Sequence, residues 1–105
     1  MQLIRGTTPN IVATVKNDTD LSVVTQVWFY ISQQNKPKVD KLIEDVVIDT
    51  ENKTISAILS QDDTLALRAG DALFQIRLLT NDGTALASVA QKITILEVYK
   101  GGVIE

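Results

Sequence analysis

The sequence predicts an all-β fold, an antiparallel immunoglobulin-like β-sandwich of about seven strands with one short helical turn. Three observations predict it. Apolar and polar residues alternate in short segments rich in β-branched side chains, turn-forming clusters separate those segments roughly every 8 to 12 residues, and only one stretch carries helix-capping chemistry. The chain has 105 residues, 45% of them hydrophobic and 22% charged. That is enough apolar material for one folded core and too little length for two, so residues 1–105 are read as one domain.

The first strand follows Pro9. From Asn10 to Lys16, Ile11, Ala13 and Val15 alternate with Val12, Thr14 and Lys16, the period of a half-buried strand. Asn17-Asp18-Thr19-Asp20 then offers short polar side chains that bond nearby backbone, and so predicts a turn. Val23 to Ser32 is the densest β-forming stretch, with Val27, Phe29 and Ile31 on the core face and Gln26, Trp28, Tyr30 and Ser32 on the other. Gln33-Gln34-Asn35-Lys36-Pro37 interrupts the pattern, and Lys38 to Ile43 resumes it with Val39 inward. The set Val39, Leu42, Ile43, Val46 and Val47 also fits a helical spacing, and the β-branched content after Asp45 is what favours strands.

Val46 to Asp49 and Thr54 to Leu59 flank the polar turn Thr50-Glu51-Asn52-Lys53 and predict a hairpin, its second arm turning Ile55, Ala57 and Leu59 to one side and Ser56, Ile58 and Ser60 to the other. Ser60-Gln61-Asp62-Asp63 places an N-cap hydroxyl before acidic first-turn residues, which predicts the one helix between Ser60 and Arg68, ended by Gly70 and Asp71. Ala72 to Thr80 alternates Phe74, Ile76 and Leu78 against Leu73, Gln75, Arg77 and Leu79. Asn81-Asp82-Gly83 supplies a tight hairpin, and a long final strand is expected from Thr84 to about Val98, with Ile93 and Ile95 inward. Residues 99–105 read as a mobile tail. The core should consist of Phe29, Ile31, Phe74, Ile76, Leu78, Ile93 and Ile95. A small closed barrel of the same strands fits the pattern equally.

Composition removes whole classes of chemistry. There is no cysteine and no histidine, hence no disulfide, no thiolate or imidazole metal ligand, and no nucleophile or base of those types. A net charge of −3 and an isoelectric point near 4.8 argue against nucleic acid and anionic membranes as partners. The densest basic group, Lys36, Lys38 and Lys41, is interleaved with Asp40, Glu44 and Asp45, as on a solvated edge. Neither a signal-peptide core nor a membrane-spanning apolar run is expected.

The close acidic groups are Asp18 with Asp20, Asp45 with Asp49, and Asp62 with Asp63. Paired carboxylates can perform glycoside hydrolysis or hold a cation where a cleft desolvates one of them. These lie in expected turns and caps, so turn chemistry accounts for them; a calcium site at Asn17–Asp20 would lack the bidentate glutamate such loops carry. Gly101-Gly102 has no helix or Lys-Ser/Thr pair after it and is not a phosphate loop. No catalytic residue, metal or cofactor is assigned. What the pattern does offer is a surface: Trp28 and Tyr30 face away from the core, and Leu73, Leu79, Leu96 and Val98 fall on outward or ambiguous faces. Either the tail, the helix or the aliphatic stem of a neighbouring Arg or Lys covers the aromatics, or Trp28, Tyr30 and Leu96, or an exposed strand edge, form a contact surface; the outward leucines make one face more apolar than a lone monomer would want, which points to self-association.

Ile4-Arg5-Gly6-Thr7-Thr8-Pro9 before the first strand, Leu59-Ser60-Gln61-Asp62-Asp63-Thr64-Leu65, Thr80-Asn81-Asp82-Gly83-Thr84, Leu86-Ala87-Ser88 and Lys100-Gly101-Gly102-Val103-Ile104 occur in an order that resembles small tailed-phage and prophage structural-region proteins. Their β-sandwich is related in style to the N-terminal domain of baseplate upper proteins. The resemblance implies a non-enzymatic virion, tail or baseplate-associated part, or an accessory of virion assembly. It would be made in the bacterial host cytoplasm and bind other phage structural proteins, without a cofactor. A free-standing bacterial sandwich that binds carbohydrate, with Trp28 and Tyr30 as a stacking platform, is the second reading.

Overall fold

In the computed structural model, which describes residues 1–15, 20–88 and 90–105, strands dominate and α-helix is confined to one short segment. The described strands are β1 (Gln2–Ile4), β2 (Asn10–Thr14), β3 (Val24–Gln33), β4 (Lys36–Lys41), β5 (Val47–Asp49), β6 (Thr54–Ile58), β7 (Gly70–Thr80), β8 (Ala85–Ala87) and β9 (Gln91–Leu96), with α1 (Gln61–Leu65) between β6 and β7. One sheet runs β1-β9-β7-β3-β4 with β8 also paired to β7, and the other runs β2-β6-β5. The arrangement is a β-sandwich, and α1 is the short helix expected between Ser60 and Arg68.

The centre of the larger sheet is the antiparallel pair β3 and β7. Their register sets Val27 opposite Leu78, Phe29 opposite Ile76 and Ile31 opposite Phe74, so the inward halves of two alternating sequences meet in one layer. Ile93 and Ile95 extend that layer along β9, and Ile11, Ile55 and Ala57 face it from the smaller sheet, all buried. The Phe29 and Phe74 rings lie 4.8 Å apart at 56°, a tilted aromatic contact. Every residue expected in the core is there.

Helix α1 follows from its cap. Asp63 N–H donates to Ser60 Oγ at 3.0 Å and Ser60 N–H donates to Asp63 Oδ2 at 2.8 Å, a reciprocal box that satisfies two otherwise orphaned donors. At the other end Arg5 Nε donates to Leu67 O at 2.7 Å and Nη2 to Leu65 O at 3.1 Å, while Nη1 pairs with Glu97. One arginine thus serves the last helical carbonyl and one just beyond the helix, and ties the segment after β1 to the segment after β9.

Four features depart from the expected pattern. First, β1 is a strand that no periodicity marked, and it pairs in parallel with β9, Leu3 lying opposite Ile95; among the described pairings every other one is antiparallel. Second, the long final strand is two strands. Arg77 pairs with Ala87 and Leu79 with Ala85, whereas Phe74 pairs with Gln91 and Gly70 with Ile95. The register advances by one residue between these sets, the signature of an inserted residue. That shift moves the inward parity from Leu86 to Ile93 and Ile95, which one unbroken strand could not present to the same face. Ser88 marks the junction: its N–H donates to Ile76 O at 2.9 Å and its Oγ accepts from Ile76 N–H at 3.0 Å.

Third, Gly70 does not end the helix. α1 stops at Leu65, and Gly70, at φ 123°, opens β7. Fourth, the interruption at Gln33–Pro37 is a two-residue turn: Gln34 and Asn35 hold φ of 54° and 62°, the doubly positive geometry that closes a twisted hairpin. Lys36 and Pro37 thus belong to β4, an edge strand where a missing N–H is tolerated. The helical alternative over Val39–Val47 survives as a single 3₁₀ turn at Ile43–Asp45, where the chain crosses between sheets.

The turn expected at Asn17–Asp20 lies outside the described residues except for Asp20, whose carboxylate accepts from Ser22 N–H at 2.9 Å. Near the C-terminus, Ile104 N–H donates to Gln61 Oε1 at 2.7 Å and Gln61 Nε2 donates to Ile104 O at 3.2 Å. One side chain of α1 therefore grips both backbone groups of a tail residue.

The β7–β8 hairpin supplies an acid-sensitive element. Asp82 accepts from Thr80 Oγ1 and from Thr84 N–H at 3.1 Å, and these threonine bonds lower its pKa from 3.8 to about 2. A carboxyl with a depressed folded-state pKa stabilises the fold above its unfolded value and loses that contribution as pH falls through the folded one. Thermal melts of Asp82→Asn should therefore fall less steeply than wild type between pH 3.8 and about 2; equal slopes would show that the hairpin bonds do not favour the charged form.

Candidate functional site

The candidate surface arises from the alternation that builds the core. With Val27, Phe29 and Ile31 inward, β3 turns Gln26, Trp28 and Tyr30 outward, and β7 turns Leu73, Gln75, Arg77 and Leu79 to the same side. Register makes Trp28 the cross-strand neighbour of Arg77, Tyr30 of Gln75, and Gln26 of Leu79. The Arg77 guanidinium lies 4.9 Å from the Trp28 ring centroid, within cation–π range. Among the described residues the ion pairs are Arg5–Glu97, Lys41–Asp63 and Lys92–Asp71, so Arg77 faces no carboxylate there.

Trp28 is 49% exposed, Leu73 51% and Leu79 39%. Trp28, Arg77, Leu79, Gln26 and Ala85 line a shallow concavity of about 210 Å³. Tyr30 is half-buried; its hydroxyl donates to Gln75 Oε1, and Gln75 Nε2 donates to Ser88 O at 2.7 Å. This relay fixes the Gln75 amide and holds the phenol against the sheet. Tyr30 is thus tethered, and Trp28 is the larger accessible aromatic surface.

Leu96 shares the outward face but not the site. It pairs with Ile4 at the β1 edge, and its neighbour Ile95 lies opposite Gly70, seven residues along β7 from Arg77, or about 23 Å at strand rise. Trp28 and Tyr30 are brought together; Leu96 instead joins Ile4, the two being 37% and 47% exposed. Alternation names a face, whereas position along it depends on strand register. Val98 lies beyond β9 and is half-buried. That a neighbouring Arg or Lys would cover an outward aromatic was expected, but which one was not: the outward parity of Arg77 was legible, its place over Trp28 was not. The outer face of the smaller sheet also carries exposed apolar residues, Val12, Val47 and Ile58, with Val12 and Val47 flanking Ser56.

The acidic groups serve local structure. Asp49 accepts from Asn52 N–H at 3.0 Å, Asn52 Nδ2 at 2.8 Å and Glu51 N–H at 3.1 Å, bonds that lower its pKa. Asp45 accepts from Leu42 N–H at 3.2 Å. Burial pushes the Asp63 carboxyl up, but its bonds to Lys41, 2.8 Å away, and to Ser60 outweigh that and lower it overall. Asp18 lies outside the described residues, and with it the conceivable calcium loop. Among the described residues no group of three or more carboxylates gathers as cation ligands would, and no helix is long and apolar enough to cross a membrane.

No protein-family model matches the chain, and no curated protein matches it. Among solved structures it is similar to AggA, the major subunit of aggregative adherence fimbriae type I from Escherichia coli, at 13% identity and a TM-score of 0.34, over 92% of this chain and 89% of that one. At that similarity nothing about function carries over.

Proposed function

We propose that the domain is a non-enzymatic structural or assembly part that works by protein–protein contact through the outer face of its larger sheet. One observation carries the reading. Trp28 is half exposed at a shallow concavity, braced by Arg77, which pairs with no carboxylate among the described residues, and flanked by exposed Leu79, the aromatic, arginine and aliphatic combination that dominates binding energy at protein interfaces. The turn and cap roles of Asp49, Asp63 and Asp82 support the non-catalytic part, since each carboxylate is held ionised by local donors. The order of motifs that resembles tailed-phage structural-region proteins supplies the partner class, other virion proteins, and the location, a virion assembled after synthesis in the bacterial cytoplasm.

The carbohydrate reading needs a free aromatic platform. Arg77 already covers one face of Trp28 and Tyr30 is tied to Gln75, so stacking a sugar there would first require displacing the guanidinium. Sedimentation of the purified protein with the products of adjacent genes tests the proposal. Trp28→Ala with Arg77→Ala should weaken a partner's binding by on the order of 30-fold, the scale of losing one interface hot spot. Unchanged binding by this double variant, or no partner among the adjacent products, would reject it.

A further inference from the structure

The edges of the two sheets are not alike. The sheet orders leave β1, β4, β2 and β5 on the outside, and β8, which among the described residues pairs only with β7, has a free edge as well. Strand β4 carries Lys36, Pro37, Lys38, Asp40 and Lys41, the charges and proline that discourage a further strand. β1, β5 and β8 are only three residues long. β2 differs: Asn10-Ile11-Val12-Ala13-Thr14 is five residues without charge, proline or glycine.

Bond parity shows which backbone groups of β2 are free. Leu59 N–H donates to Pro9 O and Val15 N–H donates to Lys53 O, in the same register that pairs Ile11 with Ala57 and Ala13 with Ile55. In an antiparallel ladder directly opposed residues alternate between exchanging bonds and exchanging none. The odd-numbered residues therefore face β6, and the N–H and C=O of Asn10, Val12 and Thr14 point away from it, to an edge with no neighbouring strand among the described residues.

We propose that β2 is a self-association edge: a second copy of this chain adds its own β2 antiparallel to it, joining two small sheets into one continuous sheet across a two-fold axis. The edges of this chain select that occupant, since β4 presents lysines and a missing donor, and β1, β5 and β8 are too short to match five residues. The match is self-complementary with the axis at Val12. Val12 opposes Val12 of the second copy, and Asn10 opposes Thr14 in both directions; each of these pairs exchanges two backbone bonds, and no like charges face each other. Val12 is 49% exposed on the outer face, so pairing covers apolar surface while it satisfies the free backbone groups. The interface is isologous and closes at two copies, and it shares no residue with the Trp28 surface.

Sedimentation equilibrium of the full chain across a wide concentration range tests this. Wild type should show a monomer–dimer equilibrium. Val12→Lys, which sets two ammonium groups against each other at the axis, should raise the dimer dissociation constant on the order of 100-fold with an unchanged melting temperature at monomeric concentration. Thr14→Pro, which removes an edge donor not used by β6, should do the same. Trp28→Ala with Arg77→Ala should dimerise as wild type does, separating this inference from the partner-binding face. A wild type monomeric throughout, a Val12→Lys protein that dimerises normally, or a dimer lost with Trp28 and Arg77 but not with Val12 would overturn it.

Discussion

Phe29→Ala is expected to destabilise the domain by about 3–5 kcal/mol, the range for emptying an aromatic core site. Phe29 is fully buried, sits opposite Ile76 on β7 and touches the Phe74 ring, so its removal leaves a void at the meeting point of the two longest strands. Neither strand can collapse into that void without breaking its ladder, which places the cost toward the upper part of the range. Urea unfolding gives the measurement, with the single tryptophan as a fluorescence probe. Leu73→Ala is the matching control, since Leu73 is on the same sheet with its side chain on the solvent face; its loss should stay within about 0.5 kcal/mol. A cost below about 1 kcal/mol for Phe29→Ala would mean that the two faces had been assigned in reverse, a one-residue slip of register.

Gln33→Leu should cost about 2–4 kcal/mol although it places a hydrophobic side chain at a buried position. Gln33 ends the inward series Val27, Phe29, Ile31 and is itself buried. Its Oε1 accepts from Arg68 N–H at 2.7 Å, and its Nε2 donates to Arg68 O at 2.8 Å and Asp71 O at 3.4 Å. The amide thus stands in for a neighbouring strand, satisfying backbone in the passage from α1 to β7. Leucine keeps the volume but strands the Arg68 N–H and C=O, each worth about 1–3 kcal/mol when left unpaired. Hydrogen exchange separates this from a packing defect: the Arg68 amide should lose protection in Gln33→Leu while amides of the β3–β7 ladder keep theirs below the global limit. Retained protection at Arg68 would refute the clasp.

The sequence made β3 and β7 legible because long alternation and β-branched content agreed, and it located α1 because Ser60 and Asp63 form their cap within four consecutive residues. Where information was long-range, the sequence said less. β1 has one inward residue, Leu3, and one residue has no period. The division between β8 and β9 shows as a one-residue change of register, invisible until both segments are aligned on β7. Gln34 and Asn35 resemble ordinary loop residues, and only their paired positive φ makes them a tight turn. The candidate surface divides the same way: alternation put Trp28, Tyr30 and Leu96 on one face, and only register showed that Arg77, not Leu96, shares the place of Trp28. Gln33 was unreadable as a clasp because its partners lie 35 residues away.

The parallel pairing of β1 with β9 has a kinetic side. Gln2–Ile4 meets Thr94–Leu96, and Arg5 reaches Glu97 across 92 residues of chain. Gln2–Ile4 is therefore synthesised well before its partner Thr94–Leu96, and Leu3 lacks that partner during the interval. Contacts of such separation carry a high loop-closure cost before they return any energy, and folds dominated by them are slow to form. The β3–β4 and β5–β6 hairpins can form as they emerge, whereas the β1 edge can close only once β9 is free, which makes the closure of this edge, more than the assembly of the core, the step most exposed to aggregation.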